Sequence, residues 1–220
     1  MKEKQSKKIF TRMLMNNWGG ISHKVMEFHE YVNLFSGKSG SGKSTVMDAI
    51  QVVLYGSISS TFLNKAADDA KNRRRGAQKD GSFNREDQDF CSQIVLEIKD
   101  TGKNIHTCIG VSFEVGKADT DIRKYCFFSH SGKIPEDEYL TEEGVPYTIA
   151  KLKKLVEARI ESADNRGRGD VNRVYPSKEA YLKTVYDAIF GYVEPGRMMT
   201  MEKSAIALRM TNGTGQFIKD

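Results

Sequence analysis

The sequence predicts an α/β fold, with a core sheet behind a phosphate-binding loop, helices around it and an antiparallel β-layer beside it. Three observations carry that prediction. The stretch Gly37-Lys38-Ser39-Gly40-Ser41-Gly42-Lys43-Ser44-Thr45 matches the Gly-x-x-x-x-Gly-Lys-Ser loop residue for residue. Before it, Tyr31-Val32-Asn33-Leu34-Phe35 is short, apolar and β-prone, and reads as a buried strand. After it, Val46, Ile50, Val53 and Leu54 fall at helical spacing, and Gly56 is a fitting stop. A chance match in a chain of this size occurs on the order of 1% of the time, and the strand and helix flanks make chance rarer still.

The residue types dictate the chemistry. Gly37, Gly40 and Gly42 permit backbone angles and a close approach that a Cβ would block. The loop amides, with those of Lys43 and Ser44, converge at a helix N-terminus, where partial positive charge gathers. Lys43 is the candidate catalytic residue, reaching the β- and γ-phosphates, and Ser44 is the candidate Mg²⁺ ligand. Lys38, Ser39 and Ser41 complete the nucleotide-binding set, with Thr45 beside the α-phosphate.

Composition sets the limits. The 220 residues suit one large or two small domains, and 39% hydrophobic content is enough for a core. A net charge of +5 permits contact with a polyanion without demanding it. Cys91, Cys108 and Cys126 are odd in number and lack Cys-x-x-Cys spacing, so they read as thiols of a reducing compartment. No apolar run approaches membrane-spanning length and no signal-peptide core is present, so a cytoplasmic location without a membrane partner is expected. His23, His29, His106 and His130 have no metal-ligand spacing.

Along the chain, residues 1–8 form a charged leader expected to fray. Ile9–Met15 and Val25–Phe35 read as strands joined by the turn-rich Asn16–Gly20. That hairpin could cover a nucleotide base. Trp18 could stack on the base, although a core position suits it better. Residues 57–90 are polar and irregular. Within them Arg73, Arg74 and Arg75 are either a solvated face or contacts to nucleotide or nucleic-acid phosphates. Strand signals return at Gln93–Ile98, Ile105–Val115 and Lys124–Phe128, with turn residues between them, which fits an antiparallel meander. Ile149, Leu152, Val156, Ile160 and Ala163 mark an amphipathic helix over about 147–163. Asp164–Asp170 is a glycine-rich charged loop. Ser177 is the expected N-cap of a helix through Phe190, closed by Gly191, and Met198–Met210 is a weaker helical segment.

Hydrolysis also needs a carboxylate on a second strand and a group that orients water, and no run of four apolar residues followed by Asp occurs after residue 45. Ile94-Val95-Leu96-Glu97 comes nearest, but the polar Lys99 and Asp100 make that strand read as a half-exposed edge.

This half-site resembles the N-terminal ATPase-head lobe of the SMC-like family, where coiled-coil arms separate the phosphate loop from its acid and signature motif. Gly40-Ser41-Gly42-Lys43-Ser44-Thr45-Val46-Met47-Asp48-Ala49-Ile50 is similar to the corresponding run in those heads. Phe10–Trp18, Phe62–Ala67 and the Arg74-Arg75 region are most similar to the MukB, MksB and JetC group, the last belonging to Wadjet plasmid defence. The resemblance implies a P-loop NTPase fold of the ABC/SMC-head type, with residues 1–220 forming the N-terminal lobe and the signature lobe lying elsewhere. It implies ATP and Mg²⁺ as cofactors, held between two heads that dimerise. It further implies DNA, kleisin-type and accessory subunits as partners, a nucleoid-associated location, and little turnover by this chain alone. Asp48 matches the run and is expected to be a favourable charge in the first helical turn. One of Arg73, Arg74 and Arg75 is expected to contact nucleotide. Gln93 and Gln216 are both candidates for a Mg²⁺-contacting glutamine. The alternative is a stand-alone small-molecule kinase, with Arg166 or Arg168 and Asp170 near the phosphates. A transporter component is disfavoured because it needs a signature motif about a hundred residues after the loop.

Overall fold

The computed structural model describes residues 6–56, 90–115, 124–161, 171–194, 196–198 and 200. Arg73–Arg75, Arg166, Arg168, Asp170, Gln216 and most of Met198–Met210 lie outside the described residues.

Six antiparallel strands form one sheet in the order β2-β1-β3-β4-β5-β6. They are β1 (Lys8–Trp18), β2 (Ile21–Glu27), β3 (Phe90–Asp100), β4 (Ile105–Val115), β5 (Lys124–Ser131) and β6 (Arg173–Tyr175). The helices are α1 (Lys43–Tyr55), α2 (Ile149–Glu161) and α3 (Lys178–Thr184), the last running into a π-helical turn at Val185–Ile189. The α/β class and the meander are as expected. The core sheet expected behind the phosphate loop is not seen among the described residues, where every strand pair is antiparallel.

The β1–β2 turn is tighter than the sequence suggested. Trp18 pairs with Ile21 across Gly19 and Gly20, whose φ values of 55° and 91° suit a two-residue turn that needs positive φ at both central positions.

Strand alternation splits the interior in two. On one face Met13, Met15, Ile94, Leu96, Ile109, Val111, Phe113 and Phe127 pack against α1, α3 and the π-turn. On the other, Leu14, Val95, Cys108, Cys126 and Phe128 pack against α2 and the loop before it. α2 starts at the Thr148 hydroxyl, which accepts from the Lys151 amide at 3.2 Å, while a Glu114 carboxylate oxygen accepts from the Ile149 amide at 2.7 Å. Ser177 caps α3 as expected, its hydroxyl accepting from the Ala180 amide at 3.2 Å.

Two strand expectations need correction. β3 is an interior strand, hydrogen-bonded to β1 and β4 on either side, not a half-exposed edge. Glu97 is fully buried there. Burial by itself would raise its pKa, yet the Ile134 amide, the Thr11 hydroxyl and His106 hold the carboxylate below its ordinary value. It points into the α2 side, away from the phosphate loop, so it supplies no acid there. The second correction concerns Val25–Phe35. β2 ends at Glu27, and Tyr31, Val32 and Leu34 are 71%, 75% and 88% exposed. Asn33 explains the break: its side chain accepts from the His29 amide at 2.7 Å and donates to the His29 carbonyl at 2.9 Å. This local turn competes with a strand ladder. Phe35 returns to the protein, edge-on to Phe28 at 6.5 Å.

The α2-side core also contains a buried histidine. His130 Nε2 accepts from the Tyr139 hydroxyl at 2.6 Å, and Nδ1 donates to the Ser131 carbonyl at 2.9 Å, so the neutral ring is fully used. Burial, then the nearby Arg159 charge, lower its pKa to about 4 from 6.5. The unfolded chain therefore binds more protons as pH falls from 6.5 towards 4, and stability is lost across that window. Unfolding free energy is expected to drop by about 2 kcal/mol between pH 7 and pH 5 through this group. Urea titration at the two pH values checks it. His130→Asn should flatten the slope, and an equal slope in the variant would refute the assignment.

Candidate functional site

The loop from Gly37 to Gly42 leads into α1, whose N-cap is Gly42 with φ 86° and no side-chain cap. Intrahelical bonding begins with the Val46 amide donating to the Gly42 carbonyl at 3.0 Å. The first helical amides are thus left to an external acceptor, and no acidic side chain sits in the first turn to compete. Asp48, expected as a first-turn charge, instead lies in the second turn and is buried. Its position serves the interior rather than the helix dipole.

The three loop glycines share a backbone requirement. Gly40 (φ 82°) and Gly42 have open space where a Cβ would stand, so backbone conformation alone selects them. At Gly37 the φ of 156° likewise disfavours an L side chain, and a Cβ would also sit 2.5 Å from the Ser41 hydroxyl oxygen. The Ser41 amide closes a turn onto the Lys38 carbonyl at 3.2 Å.

Lys43 arches back over this bowl. Its ammonium donates to the carbonyls of Gly37 at 2.6 Å and Lys38 at 2.8 Å, and to the Ser41 hydroxyl at 3.3 Å. Lys38, Ser39, Gly40 and Ser41 are exposed, so the bowl opens to solvent. An anion entering it would replace neutral carbonyls with charged oxygens as partners of the same ammonium, a stronger set.

The loop rests on the β1–β2 turn. The Trp18 indole N–H donates to the Thr45 carbonyl at 3.1 Å, and a Cβ on Gly19 would stand 2.4 Å from the Thr45 methyl. Trp18 itself is buried and stacked on Phe113 at 5.8 Å. It is a core residue supporting the helix start and not a platform for a base.

The structure places Gly37 to Thr45 in the loop and first turn of α1. Gln93 belongs elsewhere: it accepts from Asn16 at 3.1 Å and donates to the Tyr147 carbonyl at 2.6 Å in the α2-side interior. Sequence reasoning missed the far end of α1. There the Tyr181 hydroxyl donates to the Val53 carbonyl at 2.7 Å, and the Tyr186 hydroxyl to the Leu54 carbonyl at 2.9 Å. Separations of 128 and 132 residues leave no local signal for either bond. No disulfide joins Cys91, Cys108 and Cys126. Among the described residues no group of His, Cys, Asp and Glu could hold a metal ion, and no helix is long and apolar enough to cross a membrane.

Residues 10–70 match the family model described as the P-loop containing region of AAA domain. A 59-residue stretch is 37% identical to the SbcC component of the SbcCD nuclease of Staphylococcus haemolyticus (strain JCSC1435). That match covers 25% of this chain and only 6% of the relative. The family-model match spans the phosphate loop and supports an ATP-binding P-loop region there.

Proposed function

We propose that this chain is the ATP-binding half of an SMC-like ATPase head, of the MukB, MksB and JetC group, that dimerises on ATP and drives DNA organisation, loop extrusion or plasmid defence. The observation that carries the nucleotide part is the uncapped start of α1, facing a solvent-open bowl with an ammonium poised above it. The residues fit a triphosphate. The amides from Gly40 to Thr45 would bind its oxygens, Lys43 would bridge the terminal phosphates, and the Ser44 hydroxyl would hold Mg²⁺. When bound, the ion neutralises phosphate charge, and this chain's part is to position and bind.

Support for the half-head reading comes from the segment just before the loop. Tyr31, Val32 and Leu34 carry the composition of a central strand yet face solvent, and three neighbouring exposed apolar side chains mark an interaction surface. A C-terminal head lobe bringing the missing strand and its acid would cover them. DNA, the second head and kleisin-type subunits follow from the same reading, as does a cytoplasmic, nucleoid-associated location. Contact of Arg73, Arg74 or Arg75 with nucleotide or DNA is part of the proposal.

Trp18 supplies the test. It is the single tryptophan of the chain and is bonded to Thr45 in the first turn of α1. MgATP should shift its emission saturably, with AMP producing no shift. An emission spectrum unmoved by millimolar MgATP, together with no binding by calorimetry, would refute the reading.

A further inference from the structure

α1 is held at both ends. The phosphate loop forms its start, and the two buried phenols of Tyr181 and Tyr186 hold its last carbonyls. Gly56, in the left-handed region at φ 60°, turns its amide back to Val52 and ends the helix. Val53 and Leu54 therefore depend on partners from outside the helix.

Those partners come from an irregular element. Tyr181 lies on α3 and stacks on Phe127 at 4.6 Å. Tyr186 lies in the π-turn, where the Phe190 amide donates to the Val185 carbonyl at 2.8 Å. Five positions apart, the two phenols would point about 140° from one another on a regular α-helix. Both hydroxyls nevertheless reach the end of α1, and the π-turn follows directly on α3 at Val185–Ile189, a rare turn often found at functional sites. The Tyr186 carbonyl in turn accepts from the Val193 amide at 3.2 Å. One chain of bonds thus runs from Val193 through Tyr186 to Leu54, and from there along a rigid helix to Lys43.

We propose that this two-tyrosine clamp is a coupling device, tying the state of the phosphate loop at one end of α1 to the conformation of the π-turn and Phe190–Val193 at the other. Relaxation of the π-turn to α-helix rotates the residues after it, Phe190–Val193, by about 100° and pulls the Val193 amide away from the Tyr186 carbonyl. Conversely, an anion that orders the start of α1 steadies the carbonyls on which the clamp closes. The surface that reports the change is Tyr192 and Val193, which are exposed. The ligand arm of this proposal rests on the nucleotide reading above, and the ligand-free arm does not.

Hydrogen exchange on the 220-residue chain tests both arms. Without nucleotide, Tyr186→Phe keeps the ring and removes only the hydroxyl. It should speed exchange of the Val46 amide, at the opposite end of α1, by about fivefold, and Tyr181→Phe should act in the same direction. Tyr147→Phe is the control. Its hydroxyl donates to the exposed Asp137 carboxylate on the α2 side, and its loss should leave Val46 unchanged. With MgATP, exchange at the Val193 amide should slow in the wild type and not in Tyr186→Phe. An unchanged Val46 in Tyr186→Phe, or an equal change in Tyr147→Phe, overturns the clamp. Protection of the loop by MgATP without any response at Val193 overturns it too. If MgATP protects nothing in the wild type, the nucleotide reading fails, and the ligand-free comparison decides the clamp by itself.

Discussion

Lys43→Ala is expected to weaken MgATP binding by at least about a hundredfold, because two or more charge-assisted hydrogen bonds to phosphate are lost at once. The ammonium already sits over the loop, engaged among the described residues by exposed main-chain carbonyls and a serine hydroxyl. Its removal therefore costs the fold little, and the melting temperature should stay within a few degrees of wild type. Lys43→Arg should fail nearly as badly, since a planar fork cannot replace a compact charge in a bowl this tight. Titration of Trp18 emission reads the affinity, and a melt reads the fold. Wild-type affinity in Lys43→Ala would remove the assigned role.

Gly110→Val is expected to show the opposite profile: loss of fold without a direct effect on the loop. Gly110 sits mid-β4, opposite Val95 on β3 and Phe128 on β5. A Cβ there would lie 2.7 Å from the Ile94 carbonyl oxygen and 2.8 Å from the Phe128 ring. Phe128 is fully buried and Ile94 is backbone of an interior strand, so neither can retreat. Overpacking of this kind costs about 3 kcal/mol, which urea unfolding resolves. Phe128→Leu should restore part of the loss in Gly110→Ala, because the two changes share one volume. A destabilisation under about 1 kcal/mol in Gly110→Val would show that the sheet yields more than its packing suggests.

The two sites differ in how far they could be read from sequence. The phosphate loop was legible because each of its requirements is local: positive φ at Gly37, Gly40 and Gly42, and a lysine at a set offset from the helix start. The meander over 93–128 was legible for the same reason, since alternation and turn residues act over a few positions. Gly110 carried no such signal. Its constraint comes from Phe128, a residue on another strand.

Local patterns misled where a residue's surroundings come from far along the chain. Tyr31–Phe35 has strand composition, but its alternation finds no neighbouring strand among the described residues, and the Asn33 side chain takes the local backbone bonds instead. Lys99 and Asp100 made β3 look like an edge. In the structure Asp100 turns to Lys8 and Ser6 at the end of β1, and the middle of β3 is interior. Gln93 drew notice as a possible Mg²⁺ contact, yet Asn16 and Tyr147 hold it on the far side of the sheet.

What the amino-acid sequence by itself determined is the loop, the helix that follows it, the cap at Ser177 and the antiparallel class of the later strands. All of these arise from forces between residues a few positions apart. Tertiary structure alone decided which face Glu97 and His130 occupy, that Trp18 supports Thr45 instead of a base, and that two tyrosines more than a hundred residues away close the far end of α1. Those outcomes depend on the order of strands in the sheet and on which core each side chain is excluded into, and burial is a property of the whole chain.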